Sequence, residues 1–111
     1  MRLQLSESAR VVLNAAGGGI ARVGPRAAGV RWDVRQVTVS STSAAVPIAE
    51  LFLGEPAPGA SLGGTYDGNR DSTDVQVTLY SGQLLAVVWT GGDPGASATV
   101  SVLGDNVIGE D

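Results

Sequence analysis

Apolar and polar residues alternate with a period of two over most of this chain. No window sustains the i, i+3, i+4, i+7 spacing of an amphipathic helix. Period two is the mark of strands with one buried face. The clearest runs are residues 75–79, 84–90 and 97–103, joined by connectors of Gly, Asp, Ser and Pro. Upstream, the same pattern predicts strands at 2–5, 9–14, 20–23, 30–40 and 45–53. The stretch NAAGGG between the second and third of these predicts a hairpin connector that tolerates positive φ. Residues 54–74 read as a long connector with a short edge strand at 63–66, and connectors of that length are commonly functional.

About eight strands without helices predict an all-β fold, an antiparallel β-sandwich of jelly-roll-like type. The length of 111 residues suits one domain over 1–111. Residues 1–8 read as an N-terminal arm or an edge strand, and residues 105–111 as an acidic tail. In 30–40, Val30, Trp32 and Val34 share a face, and then Val37 and Val39 take over. That step of three predicts a β-bulge near Arg35 and Gln36. The expected core is Val12, Ile20, Val23, Trp32, Val37, Val39, Leu51, Leu53, Val75, Val77, Leu85, Val87, Trp89, Val100 and Val102.

Composition then narrows the chemistry. The chain has no Cys and no His, and all seven basic residues are Arg. Disulfides, thiolate metal sites, imidazole bases and Schiff-base lysines are therefore excluded. A Ser nucleophile has no His or Lys to activate it. The net charge of −4 argues against a nucleic-acid partner and against a polybasic membrane anchor. The apolar run 84–89 is far short of the about 20 residues that span a bilayer. The opening MRLQLSESARVVL lacks a continuous apolar region, so no secretory signal is expected.

Two clusters remain as candidate sites. In DGNRDSTD, oxygen-bearing side chains fall at Asp67, Asn69, Asp71 and Asp74. Alternate oxygens of this kind can wrap a hard cation, which makes Ca²⁺ a candidate cofactor. Ser72 and Thr78 stand where a calcium loop would have Gly and a bidentate Glu, and an Asx-rich turn reads the same residues. The second cluster is Arg22, Arg26, Arg31 and Arg35. Six of the seven Arg precede residue 37, and nine of the eleven acids follow it. Such a group suits an acidic partner surface, although Arg31 and Arg35 also fit as outward residues of a strand.

The residues also resemble a family. The segment ARVVLNAAGGGIARVGPRAAGVRWDVRQVTVS, the strand with Ala49, Leu51, Phe52, Leu53 and Gly54, and the stretches GTYDGNRDSTD and SGQLLAVVWTGGDPGA together cover nearly the whole chain. They are similar to a family of small β-sandwich virion structural proteins of tailed actinobacteriophages, of the capsid decoration, head fibre or minor tail type. The resemblance implies a virion component assembled in the bacterial host cytoplasm, with no enzymatic activity. The expected role is a capsid decoration or minor capsid protein on the outer surface of the shell. Its expected partners are the major capsid protein or another virion protein, and further copies of itself, as a trimer. Alternatives are a tail or head-fibre subunit, and a carbohydrate-binding module for host glycans with Phe52 and Tyr66 as stacking residues.

Overall fold

The computed structural model describes residues 2–45, 47–54, 61–67 and 70–109, with the side chains of 61–67, 70 and 73 left aside. The described residues form eight strands: β1 (Arg2–Val12), β2 (Gly19–Val23), β3 (Val30–Ser41), β4 (Ile48–Leu53), β5 (Ser61–Asp67), β6 (Arg70–Leu79), β7 (Leu85–Thr90) and β8 (Ser97–Ile108). One sheet has the order β1-β8-β3-β6 and the other β2-β7-β4-β5. Every pairing is antiparallel. The pairs β1–β8, β2–β7, β3–β6 and β4–β5 amount to one long two-stranded ribbon. It is folded back at β4–β5 and wrapped until β8 meets β3 and β7 meets β4. This is the winding of a jelly roll, and the all-β sandwich expected from the sequence is the fold of this chain.

The two sheets differ in length. Strands of the first run 10 to 12 residues, and those of the second 5 to 7. The molecule is correspondingly elongated, 44 × 26 × 22 Å. The core lies between the inward faces. Leu5, Trp32, Val34, Val37, Val39, Leu79, Val100 and Val102 of the long sheet meet Ala21, Val23, Ala49, Leu51, Leu85, Val87 and Trp89 of the short one. Each large side chain buried here contributes about 1.5–3 kcal/mol. Trp89, the largest of the fully buried side chains, lies in β7 between β2 and β4.

The bulge expected near Arg35 and Gln36 is present. The register of β3 shifts between Val34 and Gln36 against both β6 and β8. Arg35 is the extra residue relative to β8, where Val34 faces Gly104 and Gln36 faces Leu103. The kink presses the Asp33 carbonyl onto Gly104, and a Cβ at position 104 would overlap that oxygen. Glycine is thus required on β8 opposite the bulge.

Several expectations need correction. Residues 2–5 and 9–14 are not separate strands, because residues 2–12 pair with β8 as one continuous edge strand. This makes the segment 1–8, from Arg2 onward, an edge strand and not an arm. Within β1 the inward residues are Leu5, Ala9 and Val11, so Val12 points outward and is 58% exposed. Ile20 also points outward, and Leu53 lies at a strand end, where it is exposed. The expected acidic tail is mostly strand, since Asp105–Ile108 complete β8; Glu110 and Asp111 lie outside the described residues. The long connector 54–74 shrinks because Ser61–Asp67 and Arg70–Leu79 are strands. Both occupy sheet edges, where polar and charged residues are compatible with pairing on one side only.

A polar knot closes one end of the sandwich. The buried Ser43 donates its hydroxyl to the Ala45 carbonyl and accepts from the Asp93 N–H at 2.8 Å. The Asp93 carboxylate in turn accepts the Ala44 N–H at 2.8 Å. The β3–β4 connector is thereby fastened to the β7–β8 turn.

Three substitutions test these assignments by urea unfolding. Gly104→Ala is expected to lose about 1–3 kcal/mol or more through overpacking. Val12→Ala is expected to change stability by less than about 0.5 kcal/mol, as for other exposed positions. Ser43→Ala leaves the Asp93 N–H without its acceptor and is expected to lose about 1–3 kcal/mol.

Candidate functional site

Strand parity sorts the polar residues into surfaces. The outward face of the long sheet carries Gln4, Ser6, Ser8 and Arg10 on β1, and Thr99, Ser101 and Asp105 on β8. It continues with Arg31, Asp33 and Thr38 on β3, then Ser72, Asp74, Gln76 and Thr78 on β6. This surface is rich in hydroxyls, with Val12 and Leu103 exposed among them, and most of its charges gather toward the end that holds Arg2.

At that end one ion-pair network spans all four strands. Arg2 Nη1 of β1 donates to Asp33 Oδ2 of β3 at 3.1 Å and to Asp105 Oδ2 of β8 at 3.0 Å. Arg35 Nη1, on the bulge, donates to the same Asp105 oxygen at 3.2 Å. Arg31 Nε lies 3.3 Å from Asp33 Oδ1, and the Thr78 hydroxyl of β6 donates to that oxygen at 3.3 Å. Beneath it Val107, which pairs with Arg2 on one side and Arg31 on the other, is only 1% exposed. Arginine stems can shield apolar surface in this way while their heads stay wet.

Partial burial pushes the Asp33 carboxyl up. The Arg2 hydrogen bond, the Arg31 charge and the Thr78 hydroxyl more than offset it, and the net shift is downward from 3.8. Single exposed pairs contribute little, about 0–1 kcal/mol. A network that shares two carboxylates among three arginines holds the sheet together more effectively than its separate pairs suggest.

The four sequence-predicted arginines therefore divide. Arg31 and Arg35 belong to this network on the long sheet. Arg22 and Arg26 lie at one end of the short sheet, beside a shallow groove that also includes Val23, Gly24, Pro25 and Gln83. On the long-sheet side the groove continues past Glu7, Ser8 and Trp32.

Of the cation candidates, Asp71 and Asp74 lie on β6 three residues apart, and so on opposite faces. Asp71 Oδ1 accepts the Ser72 N–H at 2.8 Å, an Asx-type bond of its own segment. Asn69 and the Asp67 side chain lie outside the described residues. Among the described residues no three His, Cys, Asp or Glu side chains gather around a point that could hold an ion.

Of the stacking candidates, Phe52 is 8% exposed and offers no open ring face. The Tyr66 side chain is outside the described residues. Tyr80, at the β6–β7 turn, is an exposed aromatic that the sequence did not single out. The outward face of the short sheet was also not singled out. There the register aligns Arg22, Ala86 and Phe52 in one row and Ile20, Val88 and Glu50 in the next, with Ile48 beyond. Ala86 and Phe52 are buried yet stand apart from the main core cluster. The signal for this face was present in LLAVVWT, an apolar run without alternation, which reads as a strand covered on both sides.

No family model matches the chain, and no curated protein matches it. Among solved structures, it is similar to PliG of Aeromonas hydrophila, a periplasmic lysozyme inhibitor of g-type lysozyme. The identity is 16% and the TM-score 0.45, over 92% of this chain and 85% of that one.

The network predicts an acid dependence. The Asp33 carboxyl titrates lower in the folded chain than in the unfolded one. Its contribution is therefore complete above the unfolded value near 3.8 and is lost as pH falls through the folded value. Urea unfolding at pH 7 and at successively lower pH is expected to show a steeper acid loss in the native chain than in Asp33→Asn.

Proposed function

We propose that this chain is a non-enzymatic structural component of a bacteriophage virion. In this reading it is a capsid decoration or minor capsid protein that binds the outer surface of the assembled shell and stabilises it. The observation that carries the reading is the jelly-roll winding, β1-β8-β3-β6 over β2-β7-β4-β5. That winding is used by viral capsid domains, and also by lectins and cupins. A fold alone does not assign a function, and two further features support the virion reading. The sequence resemblance runs through the same strands and turns. The surface is also two-sided: a long, hydroxyl-rich, ion-braced face suits solvent, and a short face that exposes Ile20 and Ile48 suits attachment. Glycan binding is less well served, because Phe52 is covered.

The deciding measurement is copy number per particle, by quantitative mass spectrometry of purified virions against the major capsid protein. Hundreds of copies are expected for a shell decoration protein. A few to some tens would instead assign a tail or head-fibre subunit. Absence from the particle would overturn the virion reading and favour a carbohydrate-binding module. Particles assembled without the protein are expected to disrupt at a lower temperature than complete ones.

A further inference from the structure

We infer that the groove lined by Glu7, Arg26 and Trp32 is a binding site for a sugar that carries a carboxylate. This goes beyond the virion reading and does not depend on it. It is also a different surface from that of Phe52 and Tyr66. The groove lies between the sheets and joins residues of β1, β2 and β3 to the connector that holds Arg26. Its volume is about 380 Å³, within the range of small-molecule sites.

Three groups in this groove lack partners. On β1, Leu5, Glu7, Ala9 and Val11 share one side of the strand, so Glu7 puts a carboxylate where the alternation calls for an apolar residue. Arg26 lines the same groove from the β2–β3 connector. Opposite charges in one groove have every reason to pair. Yet neither side chain has an ion pair or hydrogen bond among the described residues. The third group is the indole N–H of Trp32, a side chain only 8% exposed. It has no acceptor among the described residues, and it is not among the polar atoms sealed from solvent. A tryptophan buried this far usually finds an acceptor, and the groove is where one can enter.

Together the three groups select a chemistry. The guanidinium fork of Arg26 matches a carboxylate. Glu7 repels a second anion and accepts hydroxyl donors, while the Trp32 N–H needs a neutral oxygen. A sugar acid supplies its carboxylate to Arg26, one hydroxyl as donor to Glu7 and another oxygen as acceptor for Trp32. A neutral sugar leaves Arg26 unused, and an inorganic anion offers Glu7 nothing. Arg22, already engaged within the chain, lines the wall and adds positive potential.

Titration of the full chain with glucuronate, followed by ¹H–¹⁵N NMR, tests this. The Trp32 indole resonance is expected to move and that of Trp89 to stay, with millimolar affinity. Arg26→Gln changes an exposed connector residue that the fold tolerates, and it is expected to weaken binding by about tenfold or more. Trp32→Phe keeps a ring in place and removes the N–H, which should weaken binding by about three- to tenfold. Glucose is expected to bind more weakly than glucuronate by the same factor as Arg26→Gln. A Trp32 resonance that stays fixed up to tens of millimolar glucuronate overturns the inference. So does equal affinity for glucuronate and glucose, or equal affinity of the native and Arg26→Gln chains for glucuronate.

Discussion

The pairing of β8 with two neighbours at once is the constraint on which the rest of the fold depends. Along its length β8 is hydrogen-bonded to β1 on one side and to β3 on the other. Its inward residues Ala98, Val100 and Val102 are essentially without solvent exposure. The register it imposes decides which residues of β1 turn inward, and it places Gly104 where the β3 bulge needs space. The ion-pair network is a consequence of the same register. Arg2, Asp33 and Asp105 come from three strands and meet only because β8 sets those strands side by side.

The two outward faces follow different physical rules. On the long sheet, most outward positions hold short hydroxyl side chains and compensated charges, with Val12 and Leu103 as exposed apolar exceptions. On the short sheet, most outward positions are apolar, with Ala86 and Phe52 buried and Ile20 and Ile48 partly exposed. A sandwich needs only its inward faces to be apolar. The second apolar face is largely covered within the chain itself, since Ala86 and Phe52 are buried there, and only Ile20 and Ile48 reach solvent appreciably. Neither face gathers the convergent acid, base and nucleophile of a hydrolytic site among the described residues. Asp33, the carboxylate with a displaced titration, sits on an open surface among arginines, where it braces strands.

Much of this architecture is legible in the sequence, and the parts that are not have physical reasons. The bulge could be read because a strand that loses one beat of its alternation must carry an extra residue if both of its halves are to face the core. The β6–β7 and β7–β8 turns could be read from glycine and proline. The phase of β1 was ambiguous because Val11, Val12 and Leu13 are consecutive apolar residues, and only β8 decides which of them are buried. Ile20 misled because the inward position beside it is held by a small residue, Ala21, whose burial carries little weight in a pattern. The first half of β6, residues 70–74, read as a loop because edge strands draw their stability from one neighbour and need little apolar content. The network of Arg2, Asp33 and Asp105 was invisible because its members are 31 and 103 residues apart.

The wrapped ribbon also orders events during synthesis. Of the eight strands of the described residues, β1 is made first, and its sheet neighbour among them, β8, is made last. No amount of waiting lets β1 begin to pair in its sheet until Ser97 has emerged, and Arg2 finds its partner only with Val107. Contacts of such long sequence separation form slowly, and through that interval the amide row of β1 is open to other chains. Until β8 has left the ribosome, the nascent polypeptide therefore carries β1 as an unpaired edge, a template for intermolecular pairing.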